Sequence, residues 1–188
     1  MPFWEKRGII SREWGEDAME YNDIYDKDRH RTGRVHQRGR PWRPGEYGLV
    51  VCSWIIDGQG RVLLTQRAPE KSYPGTWENS GGAAQAGETS RQAIAREVFE
   101  ETGILAEQNA FELLDSRLDG DAFFDYYCLK RSVPIEEIVL LPGETVDAKW
   151  VTFDEIHQMI RRGEICRVIA NQYLRQEKAL LERQDKVM

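Results

Sequence analysis

The sequence predicts a single domain of the α/β or α+β class, in which strands lie on both sides of a central helix. Two observations carry this prediction. Apolar and polar residues alternate before residue 68 and again after residue 111, as they do in half-buried strands. Between these stretches, residues 89–102 contain no proline or glycine and carry apolar residues at helical spacing. With 188 residues, the chain is long enough to bury one sizeable core.

The first predicted elements are strands. Residues 19–36 can contain a short hairpin, and two prolines mark the end of that region. Residues 46–56 alternate as a half-buried strand, turn at the glycines within residues 57–60, and return over residues 61–68.

The central helix is predicted from Thr89 to Thr102. Thr89 or Ser90 can cap its start, because a side-chain oxygen there can accept from a free backbone N–H. Gly103 is placed to end the helix in the left-handed conformation. The apolar residues at helical intervals are Ala93, Ile94 and Val98.

The remainder of the chain predicts three strands and two helices. A capping-box pattern at residues 152–155 opens the first helix, which Gly163 ends after about Arg162. The final helix is predicted from about Cys166 to Glu182. The three strands are expected at residues 111–118, 122–131 and 145–153.

Composition and charge favour a cytoplasmic protein that works on small molecules. No apolar run approaches the roughly 18 residues that a membrane span needs, and residues 1–14 lack the apolar centre of a secretory signal. Three widely spaced cysteines, without metal-binding spacing, predict reduced thiols. A net charge of −6 argues against nucleic acid as a partner. Residues 27–43 are basic, and they could guide an anionic substrate or simply balance acidic surface elsewhere.

Three glutamates are predicted to share one face of the central helix, directed to solvent. Glu97 and Glu101 are four residues apart, and Glu100 lies beside them. Carboxylates this close repel each other unless cations are bound, and Mg²⁺ or Mn²⁺ prefer such oxygen ligands. The alternative is a solvated acidic face, which is the commoner fate of a charge run. The glycines and the arginine that accompany the glutamates favour the metal site.

Residues 82–104 resemble the Nudix box, G-x5-E-x7-R-E-U-x-E-E-x-G-U with U aliphatic, at every defined position. The box residues with structural roles would be Gly82, Glu88, Arg96 and Gly103, with Arg96 pairing with Glu88 to tie the loop to the helix. The resemblance extends over roughly residues 46 to 165. It implies a Nudix-type α/β/α sandwich with a mixed sheet and a central catalytic loop and helix. The predicted domain spans residues 46–188, and residues 1–45 form an N-terminal extension packed on it.

The resemblance also implies an activity, namely hydrolysis of a nucleoside diphosphate derivative or a similar small-molecule diphosphate. Glu97, Glu100 and Glu101, with the carbonyl of Gly81, would hold Mg²⁺ or Mn²⁺. Family members differ in the carboxylate that takes the proton from water, and the candidates here are Glu97, Glu100 and the later Glu144. Dimers are common in the family, so a homodimer is possible.

Substrate contacts are predicted at three positions before the Nudix box. Arg67 and Lys71 are reasonable phosphate contacts, although loop cations are usually only solvated. Trp77 could stack a base or enclose a prenyl chain, and core packing is its alternative role.

The sequence allows two alternative functions. The chain resembles a bacterial branch that shares Gln66-Arg67, Lys71, Trp77 and Asn79-Ser80 with isopentenyl-diphosphate isomerase. That enzyme places a catalytic cysteine where this chain has Gly82, with a metal-binding histidine shortly after it. Here alanines follow, and Cys52 and Cys128 are expected to lie elsewhere. The second rival is a binding module without catalysis, a class that generally loses the glutamates that this chain retains.

Overall fold

The computed structural model describes residues 20–140 and 143–184, and within them nine strands and three α-helices. The strands are β1 (Tyr21–Tyr25), β2 (Arg31–Gln37), β3 (Gly48–Ile56), β4 (Arg61–Arg67), β5 (Trp77–Glu78), β6 (Ser80–Ala83), β7 (Phe111–Asp119), β8 (Ala122–Lys130) and β9 (Thr145–Thr152). The helices are α1 (Ser90–Thr102), α2 (Phe153–Arg162) and α3 (Arg167–Gln184), with short 3₁₀ turns at Gln108–Ala110 and Ile135–Glu137.

Strands β3 to β9 form one mixed sheet, and β1 pairs with β2 in a separate hairpin. The central order is β5-β4-β3-β8-β7, with β6 joined to β3 and β9 joined to β4. The pairing of β3 with β8 is parallel, whereas β4 pairs antiparallel with β9. The predicted mixed sheet is therefore confirmed.

The sheet buries a separate apolar core on each face. Alternate residues of one strand point to opposite faces, so Ile55 of β3 joins one core while Trp54 and Ile56 join the other. Helix α1 covers the first core with Ala93, Ile94 and Val98. Helices α2 and α3 cover the second core, to which Ile156, Met159, Tyr173 and Leu180 contribute. The molecule is thus an α/β/α sandwich, as predicted.

Two helices begin and end at the residues that the sequence indicates. Thr89, rather than Ser90, caps α1, and its capping box is completed by Gln92. Thr152 and Glu155 form the capping box of α2. Gly103 and Gly163 end α1 and α2, and both adopt the left-handed conformation with φ of 71°.

The N-terminal hairpin lies against the sandwich through backbone bonds between Tyr25 and Tyr47. The predicted extension of residues 1–45 is described only from residue 20, so the predicted absence of a secretory signal at residues 1–14 falls outside the described part. Over the described residues, no helix combines the length and the apolar character that crossing a membrane requires.

The two C-cap glycines form a matched pair for a stability test. A left-handed backbone costs a residue with a side chain about 1–2 kcal/mol, so alanine at either position should lower the free energy of unfolding by that amount. A Cβ at Gly163 meets no atom within 4 Å, whereas at Gly103 it lies 2.9 Å from the Cβ of Val139. We therefore expect Gly103→Ala to lose more stability than Gly163→Ala in urea unfolding. Equal losses in the free energy of unfolding would show that Val139 moves away from the new Cβ without destabilising the fold.

Candidate active site

A glycine-bearing strand and a glutamate-bearing helix meet at one edge of the α1-side core. Strand β6 pairs with β3 so that Gly81 lies opposite Cys52 and Gly82 opposite Val51. A Cβ on Gly82 would lie 2.5 Å from the carboxyl group of Glu97, and one on Gly81 would lie 2.9 Å from the Cα of Cys52. Only glycine allows the backbone and this carboxylate to approach so closely.

Arg96 gathers the carboxylates of the loop and helix around one guanidinium. Its Nε contacts Glu88 Oε1 at 2.7 Å, and its Nη1 contacts Glu97 at 2.8 Å and Glu100 at 2.9 Å. Its Nη2 donates to the carbonyl of Ala83 at 3.1 Å. Burial alone would lower the pKa of Arg96, but its three acidic partners outweigh burial and raise it. The guanidinium is therefore a permanent cation among the glutamates.

Glu101 departs from the expectation of a solvent-directed glutamate face. Only 5% of the residue is exposed, and its Oε2 accepts from the backbone N–H of Gly81 at 3.2 Å. Glu97 is also largely covered, and of the three glutamates only Glu100 has a substantially exposed side chain. The helix turns this face toward β6 because the glycines there leave room for it. The prediction of solvent-side carboxylates is wrong for Glu97 and Glu101.

Burial and like charge act together on these two acids. Burial raises the pKa of Glu97, and Glu100 and Glu88 add to the rise against the opposing effect of Arg96. The pKa of Glu101 is raised well above its usual value by burial and then by Glu97 and Glu78, with Lys71 opposing. Both carboxyls therefore hold a proton more tightly than an exposed glutamate does, and a bound cation would relieve the repulsion between them.

Glu78 is a member of this acidic group that sequence analysis missed. It is buried in β5, its carboxylate pairs with Arg67 Nη1 at 2.5 Å, and burial raises its pKa. In the sequence, Glu78 is an isolated acid directly after Trp77. A lone acid is usually solvated, so the sequence offered no reason to group it with the helix glutamates.

The predicted residues around the site are two cations that pair with acids and one tryptophan that packs in a core. Lys71 forms an ion pair with Glu144, so a predicted phosphate contact and a predicted base neutralise each other at the rim. Arg67 is held between Glu78 and the Ser72 carbonyl. Trp77 is 8% exposed and packs in the second core, with Lys149 Nζ 3.9 Å from the centre of its ring. Its part in packing is visible, while its substrate contact stays a prediction.

The donor set fits a hard divalent cation, although the carboxylates are drawn toward Arg96. Over residues 20–140 and 143–184, no three His, Cys, Asp or Glu side chains are grouped closely enough to hold a metal ion. The carboxylate of Glu97 nevertheless lies directly against Gly82, and Glu101 lies beside Gly81. Oxygen ligands at a glycine backbone, in excess of the positive charge beside them, are what Mg²⁺ and Mn²⁺ require.

Cys52 lies at this site, against the expectation that it lies elsewhere. Its sulfur is 3.3 Å from the position that a Cβ on Gly81 would take. The thiol is buried, and burial together with the neighbouring Glu101 and Glu78 raises its pKa to about 12. It is therefore a neutral thiol at neutral pH. Since only the thiolate is an effective nucleophile, Cys52 is a poor nucleophile here. Sequence analysis missed this proximity because it depends on the pairing of β3 with β6.

The site thus combines an acidic helix, a glycine-bearing strand and an arginine among the acids, set in a sandwich that defines a class of folds rather than one protein. The comparison with family models identifies the family. The NUDIX domain model matches residues 46–168, and the chain belongs to this family. Nudix hydrolases generally use divalent metals and act on substrates that contain a pyrophosphate group.

Three individual matches show what the chain is similar to. An uncharacterized Nudix hydrolase of Listeria monocytogenes is 34% identical over 148 residues, which cover 78% of this chain and 88% of that protein. An isopentenyl-diphosphate Delta-isomerase of Enterobacter sp. is 32% identical over 126 residues, or 62% of this chain and 66% of the isomerase. The crystal structure of DR0079 from Deinococcus radiodurans matches with a TM-score of 0.69 and 24% identity, covering 83% of this chain and 98% of that one.

The raised pKa of Glu101 predicts how stability depends on pH in metal-free buffer. The carboxyl binds its proton more tightly in the folded than in the unfolded protein, whose reference pKa is 4.5. Its stabilising effect is therefore complete below pH 4.5 and is lost as pH rises toward the folded pKa. We expect Glu101→Gln to reduce this loss, measured as the free energy of unfolding in urea with EDTA. A variant whose pH dependence matches the wild type would contradict the assignment to Glu101.

Proposed function

We propose that the protein is a divalent-metal-dependent hydrolase that cleaves a diphosphate bond in a nucleoside diphosphate derivative or a similar small-molecule diphosphate. The observation that carries this proposal is the placement of Glu97 and Glu101 against the backbone of Gly81 and Gly82. Such an acidic surface, buried and incompletely neutralised, is costly unless cations complete it.

Glu97, Glu100, Glu101 and the carbonyl of Gly81 would hold Mg²⁺ or Mn²⁺. A bound cation supplies charge neutralisation of the phosphate oxygens and lowers the pKa of a coordinated water. Arg67 and Lys71, on the strand and loop before β5, would contact the outer phosphate oxygens. Both are already paired with acids, at Glu78 and Glu144, so substrate would take over part of that pairing.

A carboxylate must accept the proton from the attacking water, and we assign this role to Glu97. A general base must lie within reach of the attacking water, and the carboxylate of Glu97 lies directly against Gly82, where the cation and its water would sit. Glu100 remains an alternative on the same helix, but it is the most exposed of the three. Glu144 is the second alternative, and its carboxylate is engaged by Lys71 until substrate separates the pair.

An isomerase function is favoured by one observation, the thiol of Cys52 beside Gly81. Isomerisation moves a proton onto one face of an alkene and takes another from the opposite face. A neutral buried thiol could donate, but the metal-binding histidine expected after Gly82 is replaced by alanines. A binding module is disfavoured for a different reason, since all the glutamates of the Nudix box are present. Hydrolysis is therefore the function that we retain.

The ion pairs of residues 27–43 indicate which partner the protein binds. The basic stretch of residues 27–43 is largely neutralised in the fold, because four of its arginines pair with acids: Arg29 with Asp125, Arg31 with Asp23, Arg34 with Glu46 and Arg38 with Glu20. We therefore propose a small-molecule diphosphate, not nucleic acid, as the partner. A cytoplasmic location and a homodimer remain predictions.

A substrate screen tests the proposal. Purified protein is incubated with Mg²⁺ or Mn²⁺ and a panel of nucleoside diphosphate derivatives and isoprenoid diphosphates, and the products are identified by mass spectrometry. Cleavage between two phosphates supports the hydrolase and names the leaving group. An isoprenoid product of unchanged mass would replace it with the isomerase, and binding without turnover would replace it with the binding module.

Glu97 and Glu101 should be indispensable for turnover. We expect Glu97→Gln and Glu101→Gln each to lower kcat/KM by about 100-fold or more, as the loss of a charge-stabilising group does in other enzymes. The fold should survive, because each substitution relieves repulsion in the metal-free protein. Glu107→Gln, an exposed change beyond the end of α1, is the matched control. Wild-type turnover in both site variants would exclude the proposed metal site.

Arg96 should support stability as well as turnover. Arg96→Ala removes charged hydrogen bonds to three glutamates, so we expect a loss of about 2 kcal/mol in the free energy of unfolding together with reduced kcat. Arg96→Lys keeps the charge and loses the branched geometry, and an intermediate loss is expected. The idea fails if Arg96→Ala unfolds at the same urea concentration as the wild type.

A further inference from the structure

The hairpin formed by β1 and β2 lies outside residues 46–168, the part that matches the family model. It nevertheless contacts the loop of residues 84–88, which carries the first half of the Nudix box. Asn22 Nδ2 donates to the carbonyl of Ala84 at 2.7 Å, in a buried position. The backbone N–H of Ala86 donates to the Tyr21 carbonyl at 2.8 Å. This side of the loop is thus bonded to β1 by one backbone and one side-chain hydrogen bond.

Two further bonds hold the end of the same loop. The N–H of Gly87 donates to Asp23 Oδ2 at 2.9 Å, and the guanidinium of Arg31 donates to the carbonyl of Glu88. Asp23 and Arg31 also pair with each other at 3.3 Å across the hairpin. Three consecutive residues of β1 and one residue of β2 therefore bind the loop between residues 84 and 88.

What the loop carries is Glu88, and Glu88 holds Arg96 through two hydrogen bonds of 2.7 and 3.0 Å. Arg96 in turn holds Glu97 at 2.8 Å. A continuous set of polar contacts therefore runs from the hairpin to the proposed base. A displacement of the loop would move Arg96 and release the carboxylates that it gathers.

The turn of the hairpin is fixed to the start of α1 by a second contact. Arg29 binds Asp125, which is only 2% exposed and also accepts from Ser90, the first residue of α1, and from Ser116. Burial would raise the pKa of Asp125, but these three partners outweigh burial and lower it. Arg29 adopts a left-handed backbone with φ of 65°, a cost that such a contact can sustain.

We propose that this hairpin is a working part of the catalytic unit, in which Asn22 and Asp23 act as positioning residues for the Nudix-box loop. The inference rests on the proposed function. Residues of this kind do not touch substrate or metal, but they set the angle of the groups that do. The hairpin thus supplies contacts to the Nudix-box loop from residues that lie outside the family core.

Asp23→Ala and Glu20→Ala provide a matched test. Each variant removes an acid of the hairpin that pairs with an arginine of β2 or its end, Arg31 or Arg38, but only Asp23 also binds the loop at Gly87. Mn²⁺ affinity of the full chain is measured by calorimetry, and kcat and KM are measured on the substrate from the screen. We expect Asp23→Ala to weaken Mn²⁺ binding by about tenfold and to lower kcat with little change in KM, as loss of an outer support does at other metal sites. Glu20→Ala should match the wild type.

A conservative variant separates positioning from general stability. Asp23→Asn keeps an oxygen that can accept from Gly87 but loses the charge that pairs with Arg31, so we expect it to recover most of the Mn²⁺ affinity. Wild-type Mn²⁺ affinity in Asp23→Ala, or equal losses in Asp23→Ala and Glu20→Ala, would overturn the proposal, as would failure of Asp23→Asn to recover. If the wild type binds Mn²⁺ but hydrolyses nothing in the screen, the proposed function fails while the affinity comparison still decides the role of the hairpin. A wild type that binds no Mn²⁺ would overturn both.

Discussion

The contact of Arg96 with three glutamates is the constraint on which the rest of the site depends. Glu88 comes from the loop, while Glu97 and Glu100 come from α1, so a single guanidinium joins two segments of the chain. One positive charge cannot neutralise three acids, and the buried Glu101 adds a fourth close by. The fold therefore preserves an excess of negative charge beside a glycine backbone. A divalent cation would offset that excess, and it would also attract the anionic diphosphate.

The fold was largely predictable because its signals are local. Capping boxes at Thr89 and Thr152, the C-cap glycines, and the apolar residues of β3 and β8 are each recognised within a few positions of the chain, although β3 is buried on both faces rather than half-buried as predicted. The pairing of Arg96 with Glu88 followed in the same way from spacing in the Nudix box. The order of strands was not predicted, because nothing local in the sequence indicates that β3 pairs with β8 or that β4 pairs with β9.

The parts that were missed depend on contacts between distant segments. Glu78 joins the acids, Cys52 lies beside Gly81, and Glu101 is buried, all because β5 and β6 bring those positions together with α1. Neither exposure nor a pKa can be inferred for such residues from their neighbours in the chain. The pairing of Lys71 with Glu144 is of the same kind, since it joins a loop before the box to one far after it.

The parallel pairing of β3 with β8 has a consequence for synthesis on the ribosome. Gly48 is matched with Ala122 and Ile56 with Lys130, so the central strand waits for a partner more than 70 residues later in the chain. Contacts between such distant segments form slowly, since a long loop must first be closed. A nascent chain that ends before β8 already contains the whole Nudix box, yet β3 has one side without a partner. During that interval the exposed strand edge is open to pairing with other chains. Protection of the nascent chain is therefore most needed between the emergence of α1 and that of β8.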